Sequence, residues 1–151
     1  MSQFVIRVAA IAVVLISAVS CRHDPASPPP PFGLVVDTDK LQYSLAVDRI
    51  ARVTLTNHSI RPVYLPMDVY VVCERRRDGD WADAFAWFSV DGVAPSFAIA
   101  PSEIQTDEFQ LWFYVLTPGT YRFRYFVYAD GGVTSLLPIE ERVSPPFVIV
   151  P

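Results

Sequence analysis

An all-β chain folded as a single immunoglobulin-like antiparallel sandwich without a disulfide is what this sequence predicts, on three observations. Turn signals built from Gly, Pro, Asn and Asp recur throughout the chain beyond residue 31, and no helical period is sustained between them. The segment 50–56, IARVTLT, alternates strictly, setting Val53 and Leu55 toward a core and Arg52, Thr54 and Thr56 away from it. The segment 117–128, TPGTYRFRYFVY, carries the local pattern of a tyrosine corner. A Pro118-Gly119 turn precedes Tyr121 by two residues, and Phe123 takes the next inward position. In antibody domains a disulfide cysteine stands where Phe123 does, so this sandwich lacks the bridge.

The chain opens with an export signal over 1–20. Arg7 supplies the positive end, 8–19 the apolar stretch, and Ala18-Val19-Ser20 the small residues before Cys21. The apolar stretch is too short for a membrane span, which needs about 20 residues. A cysteine placed directly after small residues resembles the bacterial lipoprotein signal, which implies that Cys21 is diacylated and becomes the new N-terminus. Ala18 stands where that motif usually has Leu, and Ala-x-Ser also suits the ordinary secretory peptidase. Residues 22–31, RHDPASPPPP, follow as a tether: four consecutive prolines favour polyproline II, an extended spacer of about 3.1 Å per residue. The expected layout is therefore a signal peptide over 1–20, a lipidated cysteine and tether over 21–31, and a sandwich over 32–151. Arg22 after the cysteine, rather than Asp, points to the outer membrane facing the periplasm.

Removing Arg7 with the signal takes the formal net charge from −4 to −5. An acidic balance argues against nucleic acid, which selects basic faces. With Cys21 committed to lipid, Cys73 has no partner and reads as a buried thiol within VYVVC.

The strands follow in order. A short apolar strand at 32–38 gives way to 41–45, with Tyr43 inward, and then to 50–56. Asn57-His58-Ser59 turns the chain into a proline-bounded strand at 62–66, suited to a sheet edge. Asp78-Gly79 joins 69–77 to 81–88 as a hairpin. Asp91-Gly92 and Pro95 make further turns before a strand at 97–99. The run 105–116 is expected as one strand apolar on both faces, with Phe109, Leu111, Phe113 and Val115 on one side and Trp112, Tyr114 and Leu116 on the other. In 117–128, Tyr121, Phe123, Tyr125 and Val127 face the core and Arg122 and Arg124 face water. The Tyr121 hydroxyl is expected to bond backbone upstream of Gly119; Tyr125→Phe need not carry the cost expected of Tyr121→Phe. A strand at 147–150 closes the domain.

The segments YS (43–44), IARVTLTN (50–57), RPVYLP (61–66), LTPGTYRFRYFVY (116–128) and SPPFVIV (144–150) resemble the Ig-like domains of small bacterial lipoproteins. Their order is also similar to the BsuPI-type proteinase inhibitor domain. The first resemblance implies a lipid-anchored envelope protein, the second a protease inhibitor that presents a loop.

Residues for chemistry are few. His23 lies in the tether, so a catalytic dyad or zinc site would hang on His58 alone, in a turn beside Ser59. Asp78, Asp80 and Asp83 lack the frame of a calcium loop. Arg75, Arg76 and Arg77 alternate faces on a hairpin stem, offset by Glu74, Asp78 and Asp80. All glycines fall at turns or strand ends, with no phosphate-binding loop. No enzyme activity, metal or cofactor is expected. What remains is an aromatic surplus, Trp81, Phe85, Trp87, Trp112 and Tyr114, which form a candidate binding surface, as Trp and Tyr offer large contact area at low entropic cost. The expected role is protein–protein interaction in the envelope, anchored to the membrane through acyl chains on Cys21. Protease inhibition and binding of a glycan or small ligand are the alternatives.

Overall fold

The computed structural model describes residues 33–88, 96–114 and 116–151, without the side chains of Trp87 and Phe88. The expected export signal and tether, Cys21, the turns expected at 91–95 and Val115 lie outside the described residues.

The alternation of β3 (Ile50–Asn57) makes it the centre of a three-stranded sheet, flanked antiparallel by β1 (Leu34–Thr38) and β8 (Ile104–Gln110). Ala51, Val53 and Leu55 are buried on one face of β3, beside Leu34, Val36 and Phe109 from its neighbours. The second sheet runs β2 (Gln42–Ser44), β10 (Phe147–Val150), β9 (Gly119–Tyr125), β5 (Val69–Arg77), β6 (Asp80–Phe88). Its pairings are antiparallel except for β2 with β10, which run parallel. A two-stranded ribbon of β4 (Val63–Pro66) and β7 (Ser96–Ile99) completes the fold.

Aromatic rings join the sheets. Phe109 of β8 stacks on Phe123 of β9 with centroids 4.6 Å apart, and Phe123 stacks on Phe147 at 5.2 Å. Each such ring contributes about 1.5–3 kcal/mol on burial. The chain is an immunoglobulin-like β-sandwich, with no disulfide among the described residues. Cys73 is a buried free thiol whose pKa burial pushes up. Asp78 and Gly79 both take positive φ, 51° and 98°, the conformation of a tight primed turn that suits the twist of the β5–β6 hairpin. Asn57 is fully buried and satisfied: its amide donates to the carbonyls of Arg61 and Ile99, and its oxygen accepts from Ser59.

The long strand expected at 105–116 does not form. β8 stops at Gln110 because its partner begins there: Gln110 pairs with Ile50, and Leu111 N–H donates instead to the carbonyl of Arg49. Leu111–Phe113 then turn as a 3-10 helix, whose threefold rotation abolishes the two-faced alternation. Leu111 stays buried, while Phe113, expected on the same face as Phe109 and Leu111, is 68% exposed.

The strand expected at 117–128 is also shorter, ending at Tyr125 near the start of β5. Beyond it Phe126 N–H donates to Tyr70 and Tyr128 exchanges hydrogen bonds with Tyr64. Tyr121, Phe123, Tyr125 and Val127 are all buried. Arg122 and Arg124 do not simply meet water. Their Nε atoms donate to the two oxygens of the buried Glu74 carboxylate, each at 2.6 Å.

The segment 130–142 folds back onto the sandwich. Asp130 accepts from the backbone of Gly132 and Ser135, Leu137 is buried, and Arg142 donates to the carbonyls of Leu137 and Tyr125.

Candidate functional site

The 3-10 turn after β8 lifts consecutive aromatic residues out of the core. Trp112 is 59% exposed, its ring edge-on to Phe113 at 6.0 Å; Phe113 in turn meets Tyr114 edge-on at 5.4 Å. Tyr114 stacks on Phe85 of β6 with centroids 4.1 Å apart, and burial pushes its pKa up. The four rings make a continuous ledge from the end of one sheet to the edge strand of the other.

Tyr114 stands between two depressions. The larger, about 350 Å³, is lined by Arg75, Arg77, Asp83, Phe85, Tyr114 and Leu116, among others. The smaller, about 230 Å³, is lined by Glu108, Gln110, Phe113 and Tyr114. Both carboxylates are engaged by other strands: Asp83 accepts from Arg124 at 2.9 Å and Glu108 from Arg52 at 2.7 Å.

Arg75 enters the larger cleft from the inner face of β5. Its Nη2 donates to the Pro118 carbonyl at 2.9 Å, and its guanidinium lies over the Tyr121 ring, 5.8 Å from the centroid. A Cβ on Gly119 would fall 2.9 Å from Arg75 Nε, so the glycine makes room for the arginine. The Tyr121 hydroxyl donates to the Thr117 carbonyl at 2.7 Å, the geometry of a tyrosine corner, and Phe123 is buried behind it.

The proposed binding residues are thus divided. Phe85, Trp112 and Tyr114 come together, joined by Phe113, which the alternation had set on the opposite face from Trp112 and Tyr114. Trp81 lies on the outer face of β6, where Arg122 sits over its ring at 4.4 Å. Trp87 stands in register opposite Val71. The signal missed in the sequence is positional: nothing in LWFYVL breaks a strand, and only the length of β3 decides where the ladder ends.

The remaining residues considered for chemistry are placed apart. His58 is exposed in its turn, and Asp78 sits in the hairpin. Among the described residues no three metal-binding side chains cluster. No described helix is long and apolar enough to cross a membrane.

The site lies far from where the chain enters the sandwich. Gly33 accepts from His58 N–H at 2.8 Å, beside the Asn57 end of β3, and the ledge follows Gln110 at the Ile50 end. Seven strand steps at about 3.4 Å separate the two ends, about 24 Å.

No protein-family description and no curated protein matches this chain. Among solved structures, a Pseudomonas fluorescens alkylpurine DNA glycosylase AlkC, bound to DNA containing an abasic site analog, is 13% identical. The match covers 80% of this chain and 32% of that one, with a TM-score of 0.43. The chain therefore spans about a third of the glycosylase. A CARDB domain from Pyrococcus furiosus, in complex with di-metal ions, is 16% identical over 83% of this chain and 95% of that one, with a TM-score of 0.40. The ASH/PapD-like domain of human CEP192 is 15% identical over 87% and 92%, with a TM-score of 0.33.

Proposed function

We propose that this protein is a non-catalytic interaction module of the bacterial cell envelope, held to the membrane by acyl chains on Cys21 and docking a protein partner on the aromatic ledge. One observation carries the reading: Trp112 and Phe113 are exposed side by side at the end of β3 opposite Gly33. Burying two such rings from water would be worth several kcal/mol, so their exposure marks a surface that a partner covers. The resemblance of the strand motifs to lipoprotein Ig-like domains supports the address. The tether at about 3.1 Å per residue adds about 30 Å of standoff from the bilayer.

A protruding loop over 131–141 would favour the inhibitor reading; Leu137 and Arg142 hold that segment against the sandwich, which supports the docking reading instead. Site-specific photo-crosslinking in intact envelopes tests the docking reading. A cross-linker at position 113 is expected to give a discrete adduct that one at the exposed position 60, in the turn next to Gly33, does not. Equal labelling at both positions would remove the ledge as a docking surface. Mass spectrometry of membrane-extracted protein is expected to show acyl chains on an N-terminal Cys21; a free thiol there would end the anchoring part.

A further inference from the structure

We infer that the cleft between Arg75, Arg77 and the Phe85–Tyr114 stack takes an acidic side chain from an extended peptide segment of the partner, while an adjoining aromatic or aliphatic residue lies on Trp112 and Phe113. The inference rests on the docking reading above and names the chemistry of what docks.

Charge is the first argument. The protein is acidic, with a formal net charge of −4, yet two guanidinium groups line this cleft. Of the carboxylates along the cleft and its neighbour, Asp83 is paired with Arg124 and Glu108 with Arg52. Among the described residues neither Arg75 nor Arg77 forms an ion pair. Arg75 Nε is buried and has no hydrogen-bond partner in the described structure. A buried N–H left without an acceptor costs about 1–3 kcal/mol, and a carboxylate is the acceptor that matches a guanidinium fork.

Shape is the second. A volume of about 350 Å³ exceeds one carboxylate, and Tyr114 makes its wall continuous with the exposed rings of Phe113 and Trp112. Recognition therefore spans an acidic residue and its neighbour. A nucleic acid would meet only two arginines on an acidic protein, too few for a polyanion. A lipid headgroup suits the opposite end, where the chain enters the sandwich at Gly33, about 24 Å away along β3.

The test pans the full mature chain, held in detergent, against a random peptide library displayed on phage, and measures synthetic copies of the selected peptides by fluorescence polarisation. Selected peptides are expected to pair Asp or Glu with a neighbouring Phe, Trp, Tyr or Leu. Replacing the acid by its amide, or Arg77→Gln in the protein, is expected to weaken binding about tenfold. Arg77 is exposed and holds no described hydrogen bond, so circular dichroism should show Arg77→Gln folded; Arg75→Lys serves as the second variant. Peptides that need Trp112 and Phe113 but tolerate both the amide and Arg77→Gln would overturn the acidic-segment inference and leave the docking reading standing. A selection yielding no peptide sensitive to Trp112→Ala or Phe113→Ala would overturn both.

Discussion

Tyr121 donates its phenolic hydrogen to the carbonyl of Thr117 across 2.7 Å, tying β9 to the turn that launches it. Tyr121 is 1% exposed while Thr117 lies in the exposed turn, so the ring is buried and the bond is reached by water from one side. Tyr121→Phe keeps the ring and deletes the bond, and should cost about 0.5–1.5 kcal/mol in urea unfolding.

Tyr125, for which the sequence named no partner, has one: its hydroxyl donates to the Asp107 carboxylate at 2.9 Å. An ionised acceptor strengthens the bond, so Tyr125→Phe should cost about 1.5–3 kcal/mol, more than Tyr121→Phe. A neutral Tyr125→Phe would mean that Asp107 is served by water instead.

These two tyrosines also show what the sequence made legible. The period-two pattern sent both inward, and a Pro-Gly turn two residues before Tyr121 pointed to a local acceptor for its hydroxyl. The acceptor of Tyr125 comes from β8, 18 residues earlier, through packing of one sheet on the other. Local spacing cannot encode that. The ledge was half legible for a similar reason. Residue type marked Phe85, Trp112 and Tyr114 as surplus, but strand propensity kept Phe113 on the opposite face of a continuous strand, because the break after Gln110 is dictated by where β3 begins. The Arg122 and Arg124 side chains were assigned to water on alternation alone; the carboxylate that holds them, Glu74, lies on β5 in a register no single strand reveals.

Gly119→Ala should destabilise the protein through Arg75 rather than through backbone strain. The added Cβ would approach Nε to 2.9 Å and Nη2 to 3.2 Å, forcing the guanidinium off Gly119 and away from the Pro118 carbonyl. The expected cost is about 1 kcal/mol. In an Arg75→Ala background the same substitution should be nearly neutral. A double-mutant cycle by chemical unfolding measures the coupling, and strict additivity would show that Arg75 and Gly119 do not interact.

Stability should fall on the alkaline side. Burial, with the charge of Asp107, pushes Tyr70 up to about 12. Burial likewise raises Tyr43, helped by its hydrogen bond to Asp39, and raises Tyr125 and Cys73. Each folded pKa lies above its unfolded value, 10.0 for the phenols and 9.0 for the thiol. The stabilisation is therefore complete below those values and is lost as pH rises through the folded ones. The urea midpoint should stay free of this loss up to about pH 8 and decline from about pH 9 upward. A midpoint held constant to about pH 11 would mean that these groups ionise in the folded state as readily as in the unfolded one.

The Glu74 carboxylate should prove the most sensitive charge on the outer face. It is 5% exposed and receives Arg122 Nε and Arg124 Nε on separate oxygens, each at 2.6 Å. Arg122 also covers the Trp81 ring and Arg124 the Phe126 ring, at 4.4 and 5.0 Å, so both cations are fixed in place before the carboxylate is considered. Glu74→Gln preserves shape but removes the charge between two guanidinium groups and turns an amide toward one of them. Breaking a buried pair in this way costs about 3 kcal/mol, because the partners remain where they were. Asp83 offers the internal comparison. It meets the same Arg124 at 2.9 Å, but its side chain is 65% exposed. Asp83→Asn should therefore change stability by less than about 1 kcal/mol. Raising salt should erode the small Asp83 contribution and leave most of the Glu74 contribution, since ions screen the exposed pair far better than the buried one. Equal effects of the two substitutions would show that water reaches Glu74 as freely as it reaches Asp83.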